Sequence, residues 1–155
     1  MKVYLASRYR RRAELCGYRE QLKPLGVEVT SRWLDEIEPG IDLNIDMDGG
    51  VTATSLKGAA RAATIKSQAA RVDLEDIDRC DMFIGFAEPD SWARAWTGFG
   101  GRHVEFGYAL ASKKQIVIVG GQETIFHWLP QVTLLHRWED VLAMFHGYTG
   151  LFYAA

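Results

Sequence analysis

The sequence predicts a single α/β domain, residues 1–155, built on a doubly wound parallel sheet of about five strands. Short apolar, β-rich runs such as KVYLA, MFIGF and QIVIVG read as strands buried on both faces. Longer segments with apolar residues at helical spacing alternate with these runs, the order expected of strand–helix–strand units. A length of 155 residues suits one domain that buries most of its apolar surface without metals or disulfides.

In chain order, KVYLA is the first strand, and the arginine-rich stretch after it leads into a helix over Arg12 to Lys23, stopped by Pro24 and Gly26. VEVTSRW alternates as a second strand. Leu34 to Lys57, with Pro39, Gly40, Asp42, Asn44, Asp46, Asp48, Gly49 and Gly50, reads as a long loop, and a loop of that length inside a compact domain is a candidate lid over a site. From Gly58 to Cys80 the apolar residues Ala63, Ala70, Leu74 and Ile77 recur at helical spacing, and MFIGF follows as a buried strand. A Trp- and Gly-rich loop spans Ala87 to Gly101, and the helix after it ends near Ser112. QIVIVG is the next strand, TLLH a weak fifth, and a last helix covers Glu139 to Phe145. The chain holds no internal repeat, linker or low-complexity segment.

Composition excludes several classes of function. The chain is 48 % hydrophobic and 25 % charged, as in a soluble globular protein. Its net charge of −2 argues against a duplex nucleic-acid binder, which needs an excess of Lys and Arg to displace counterions; the run from Arg8 to Arg12 is the one local exception. Cys16 and Cys80 form no CxxC pair and suit reduced thiols. There is no apolar run long enough to span a bilayer and no signal-peptide layout, so the expectation is a cytoplasmic protein, complete as written, with no membrane partner.

In doubly wound sheets ligands bind beyond the carboxyl ends of the strands, where strand order reverses. That rule selects Ser7 to Arg11, the long loop after the second strand, and Ala87 to Gly101. Glu105 opens the helix that follows the last of these. A carboxylate in the first turn of a helix faces unpaired N–H groups and the positive end of the dipole, which favour its ionised form. Any Glu is welcome there, but Asp73 adds weight: its neighbours at helical spacing, Ala70 and Ile77, are apolar, so it sits off the solvated side. The competing reading pairs Asp73 with Arg71 or Lys66 at the surface. Two carboxylates in one pocket are what glycosidic-bond cleavage needs, one to attack the anomeric carbon and one to handle the leaving-group proton.

Other constellations are weaker. NIDMDG resembles the start of a calcium loop, but the twelfth position is Ser55 where a bidentate Glu is required. The histidines at 103, 127, 136 and 146 have no metal-ligand spacing, and GFGGR lacks both the P-loop and the dinucleotide fingerprints, so neither a metal nor a cofactor is expected. Trp92 and Trp96 read as a capped hydrophobic patch or a base-stacking lid.

KVYLAS, VDLEDIDRCDMFIGF and GGRHVEFGYALASKKQIVIVG together resemble the nucleoside 2-deoxyribosyltransferase superfamily, which includes the transferases and the hydrolases of nucleoside 5′-monophosphates. The motifs run in the correct order over most of the chain, with the long loop and the last thirty or so residues matching poorly. The resemblance implies a flavodoxin-like or Rossmann-like domain that cleaves the N-glycosidic bond of a nucleoside or its 5′-monophosphate with retention. It implies Glu105 as nucleophile, Asp73 assisting at the base or the attacking water, and Tyr4, at the end of the first strand, orienting the nucleophile. Ser7 and Arg10 are the candidates for a 5′-phosphate, and Gly101, Arg102 and His103 complete the substrate-binding set. Transferases of the family carry an Asp six residues before the nucleophile, where this chain has Phe99, and a terminal tyrosine, where Tyr153 is followed by two alanines. The family also implies a homodimer or higher homo-oligomer. A non-catalytic nucleotide-binding module of the same fold is the alternative, with Glu105 hydrogen-bonding a ribose hydroxyl.

Overall fold

The computed structural model describes residues 1–35, 56–88 and 101–152. Among them the strands β1 (Lys2–Ala6), β2 (Glu28–Val29), β3 (Met82–Phe86), β4 (Gln115–Val119) and β5 (Val132–Leu135) form one sheet in the order β2-β1-β3-β4-β5, with every pairing parallel. The helices are α1 (Arg12–Leu22), α2 (Leu56–Arg79), α3 (Gly101–Ala111) and α4 (Trp138–Phe152). This is the doubly wound, flavodoxin-like arrangement that the sequence predicts. The switch point lies between β1 and β3, where the chain first moves outward to β2 and then back across to β3.

Strand alternation divides the core in two. Val3 and Leu5 of β1 point to the face covered by α1 and α4, where they meet Leu15, Leu22, Val141 and Phe145. Tyr4 and Ala6 point to the other face, where they meet Ile77 of α2 and Phe106 and Ala109 of α3. The right-handed rule for parallel crossovers gives the same assignment of helices to faces.

Several expected boundaries move. VEVTSRW forms only a two-residue strand, followed by a 3-10 turn over Arg32–Leu34. Side chains take over the edge of β1 that a longer strand would pair: the Leu5 N–H donates to Ser31 Oγ at 2.7 Å, Ser31 Oγ donates to the Leu5 carbonyl at 3.2 Å, and Trp33 Nε1 donates to the same carbonyl at 2.9 Å. α4 starts at Trp138 and runs past Phe145, because Asp140 accepts from the Arg137 N–H at 2.9 Å and caps its first turn. Ala63 and Ala70 of α2 are exposed, so the buried stripe of that helix begins lower, at Leu74 and Ile77. Most of the candidate lid, the calcium-like NIDMDG and the loop carrying Trp92, Trp96 and Phe99 lie outside the described residues, as does Tyr153.

One buried charge ties α2 to the segment after β2. Asp76 is fully buried; it accepts from the Arg32 backbone N–H and from Arg32 Nε, each at 2.7 Å, and from Arg79 Nη2. Removing it orphans a backbone N–H and two guanidinium contacts. Asp76→Ala is therefore expected to lower stability by about 2–3 kcal/mol, read as a drop in the urea midpoint, and Asp76→Asn, which keeps the acceptor for the Arg32 N–H, by distinctly less.

Candidate active site

The site is assembled by the same packing that closes one face of the sheet. Ile77 and Ala109 are fully buried. Four residues before each, on the same helical face and one turn nearer the carboxyl ends of the strands, stand Asp73 and Glu105. Tyr4 rises from β1 beneath them, itself fully buried and stacked on Phe83 with ring centroids 5.8 Å apart. It is the third residue of a five-residue strand, not its end as the sequence suggested; its long side chain carries the hydroxyl up to the carboxyl level. Above Tyr4 and Phe83 the last inward positions of the two central strands are Ala6 and Gly85, paired in register. A Cβ at Gly85 would meet Ile118 Cδ1 at 2.9 Å. Gly85 thus leaves its place at the switch point to the side chains of Ile118 and Phe83, which pack over it.

The electrostatics of this trio are those of a desolvated acid pair. Burial pushes Glu105 up to about 8, and the neighbouring Asp73 adds to it; Tyr4 and Arg102 pull the other way. Burial pushes Asp73 up to about 7, helped by Asp76. Burial and then Glu105 hold the Tyr4 hydroxyl well above its ordinary range, so it stays a proton donor. Tyr4 is close enough to favour the ionised form of both carboxyls, yet Tyr4 Oη and Asp73 Oδ1 are buried without a hydrogen bond of proper geometry. Unsatisfied polar atoms facing one another in a packed pocket are groups that a ligand can satisfy. The surface pairing considered for Asp73 does not form; Arg71 lies 3.8 Å from Glu75 instead.

Glu105 also departs from the expected first-turn position. The described helix begins at Gly101, so Glu105 is its fifth residue. There the N–H groups are already paired within the helix, and desolvation, not the helix dipole, governs its titration.

The remaining sequence candidates gather at the carboxyl ends of β1 and β3. Ser7 Oγ is buried without a partner. Arg10 Nη2 donates to Glu88 Oε2 at 3.0 Å, and Arg102 spans Glu88 Oε1 at 2.8 Å and Glu123 Oε1 at 2.7 Å. Arg8 Nε lies 3.5 Å from the same Glu88. Gly101 is exposed at the helix start. His103 faces His127 with ring centroids 6.5 Å apart, and both imidazoles are held below their ordinary pKa, first by burial. His127 is oriented by the Glu123 N–H, which donates to its Nδ1 at 3.3 Å. Of these, Arg102, His103, Glu123 and His127 line one cleft over the switch point with Ala6, Gly85 and Phe106; Ser7, Arg8, Arg10, Glu88 and Gly101 stand outside its lining. Sequence reasoning missed Glu88, Glu123 and His127. A signal existed: Glu88 and Glu123 follow β3 and β4 directly at their ligand-binding ends. Among the described residues no group of three or more His, Cys, Asp or Glu could hold a metal ion, and no helix is long and apolar enough to cross a membrane.

No family model matches the sequence, and no curated protein matches it. Among solved structures the chain is similar to the CMP N-glycosidase BcmB of Clostridium botulinum, with a TM-score of 0.54 and 18 % sequence identity over 93 % of this chain and 97 % of that one. At that identity the likeness is one of fold.

The raised carboxyl pKa values set a stability profile. The folded protein keeps the Glu105 proton up to about pH 8, whereas the unfolded chain releases it near 4.5, so ionising Glu105 costs the folded state and stability falls as pH rises through that window. Glu105→Gln, which cannot ionise, is expected to be more stable than wild type above pH 8 by about 2 kcal/mol, after discounting the coupling to Asp73. Thermal unfolding across pH reads this out: the difference should vanish near pH 4, and a constant difference at every pH would contradict the assignment.

Proposed function

We propose that this protein cleaves the N-glycosidic bond of a nucleoside or its 5′-monophosphate by a retaining mechanism. The observation that carries the reading is the Tyr4–Asp73–Glu105 cluster, two desolvated carboxyl groups on neighbouring helices beside a buried tyrosine hydroxyl. The likeness in fold to a CMP N-glycosidase supports it.

Burial raises both carboxyls, with Asp73 adding to the rise at Glu105, and near neutral pH the two together hold about one proton. One nucleophile and one acid is the complement a double displacement requires. Glu105 attacks C1′ and forms a glycosyl ester as the bond to the base breaks; Asp73 delivers the proton that leaves with the base. Water or a second base, deprotonated by Asp73, then displaces Glu105 and regenerates the pair. In the unliganded protein the higher value belongs to Glu105, so the shared proton rests there. Positive charge developing on the sugar at Glu105, beside Arg102, favours moving that proton to Asp73. Tyr4, lying between the carboxyls, steadies whichever is ionised.

Incubation with a panel of nucleosides and monophosphates should release free base from at least one of them. Glu105→Gln and Glu105→Ala should abolish that release, and a 2′-fluoro sugar analogue should add mass to Glu105 alone. Binding without base release would turn the reading to a non-catalytic nucleotide-binding module.

Asp73→Asn is expected to lower kcat about 100-fold or more with little change in KM, because proton transfer matters mainly in the transition state. A change confined to KM would remove Asp73 from the proton-transfer role.

A further inference from the structure

We infer that Glu88 is a positioning residue that sets specificity at the sugar's 5′ end, cancelling the charge of the arginine cluster so that the site takes a free 5′-hydroxyl in preference to a 5′-phosphate. The inference rests on the glycosidase reading and names its substrate class.

The cluster's geometry places it at the far end of the sugar. Arg102 precedes Glu105 by three residues on one helical face, so its guanidinium stands about one turn, roughly 4.5 Å of axial rise, nearer the strand ends than the nucleophile. That step is comparable with the span from the anomeric carbon of a furanose to its 5′ oxygen. A sugar with C1′ at Glu105 and its ring turned toward the strand ends directs its 5′ substituent to Arg102 and Arg10.

The charge available there is small. The Glu88 side chain is 1 % exposed and meets Arg8, Arg10 and Arg102 at 3.5, 3.0 and 2.8 Å. Arg102 is also held by Glu123 at 2.7 Å. Among the described residues three guanidinium groups therefore face two carboxylates, a balance of one positive charge. The next arginine is neutralised in the same way: Arg11 makes a two-pronged contact with Glu14 at 2.8 and 2.7 Å. A phosphate monoester brings about −1.5 to −2 charges; seated here it would leave the cluster negative in a desolvated setting beside a buried carboxylate. A hydroxyl brings none, and a guanidinium N–H can donate to it. Because Glu88 is covered, it works through the arginines it holds and does not touch the ligand.

The test compares kcat/KM for a nucleoside and its 5′-monophosphate in wild type and Glu88→Gln, with calorimetric binding of inorganic phosphate to both proteins as a readout independent of turnover. Wild type should prefer the nucleoside by about tenfold or more, and Glu88→Gln should shift the ratio toward the monophosphate by a similar factor and bind phosphate correspondingly tighter. A wild-type preference for the monophosphate, or a variant with unchanged ratio and unchanged phosphate affinity, overturns the inference. If Glu88→Gln fails to fold, the wild-type ratio and phosphate binding decide. If no substrate releases base but phosphate affinity rises in the variant, the glycosidase reading falls while the role of Glu88 in excluding phosphate stands.

Discussion

The packing of α2 and α3 against one face of the sheet, through Ile77 and Ala109, is the constraint on which the site depends. Each helix must bury that residue, and helical geometry then brings the residue one turn above it to the edge of the same core. Asp73 and Glu105 occupy those positions. Their meeting needs no attraction between them; the apolar contacts below bring two like charges together and bear the electrostatic cost. Only one of the pair can readily ionise near neutral pH, which is the condition for dividing the work between a nucleophile and an acid.

A second group of buried acids follows the opposite rule. Asp76 and Glu88 are buried, Asp73 and Glu105 somewhat less so, but each of the first two is met by guanidinium groups. Both serve the architecture: Asp76 ties α2 to the segment after β2, and Glu88 ties the end of β3 to the segment after β1 and to α3. The contrast separates reactive from structural carboxyls more sharply than burial alone. An acid buried with a cation is held in place, whereas an acid buried beside another acid has an unresolved proton.

Much of this was legible in the chain. MFIGF and QIVIVG had to be buried strands, since five-residue apolar runs between helical segments have few other places in a fold, and the parallel order followed. Asp73 was readable because its helical neighbour Ile77 is apolar, and Glu105 because it lies just beyond a loop at the ligand end of a strand. The length of β2 was not legible: VEVTSRW alternates correctly, but Ser31 and Trp33 turn their side chains onto the backbone of β1, a long-range choice that local pattern does not encode. The fate of the arginine run was hidden for the same reason. Arg8 and Arg10 look free for a phosphate in the sequence, while their partner Glu88 lies far along the chain.

The two carboxyl arrangements divide the crevice along the axis a substrate would take. At the Glu105 end burial raises both carboxyls, against the smaller pull of Arg102 on Glu105 and of Arg32 on Asp73, so a proton is readily moved. At the Glu88 end guanidinium groups meet carboxylates, so among the described residues charge is largely paired there. Arg102 joins the two, since it shares a helical face with Glu105 while its guanidinium is fixed between Glu88 and Glu123. Holding that cation on Glu88 and Glu123 keeps it from a direct ion pair with Glu105, whose carboxyl therefore stays raised by burial.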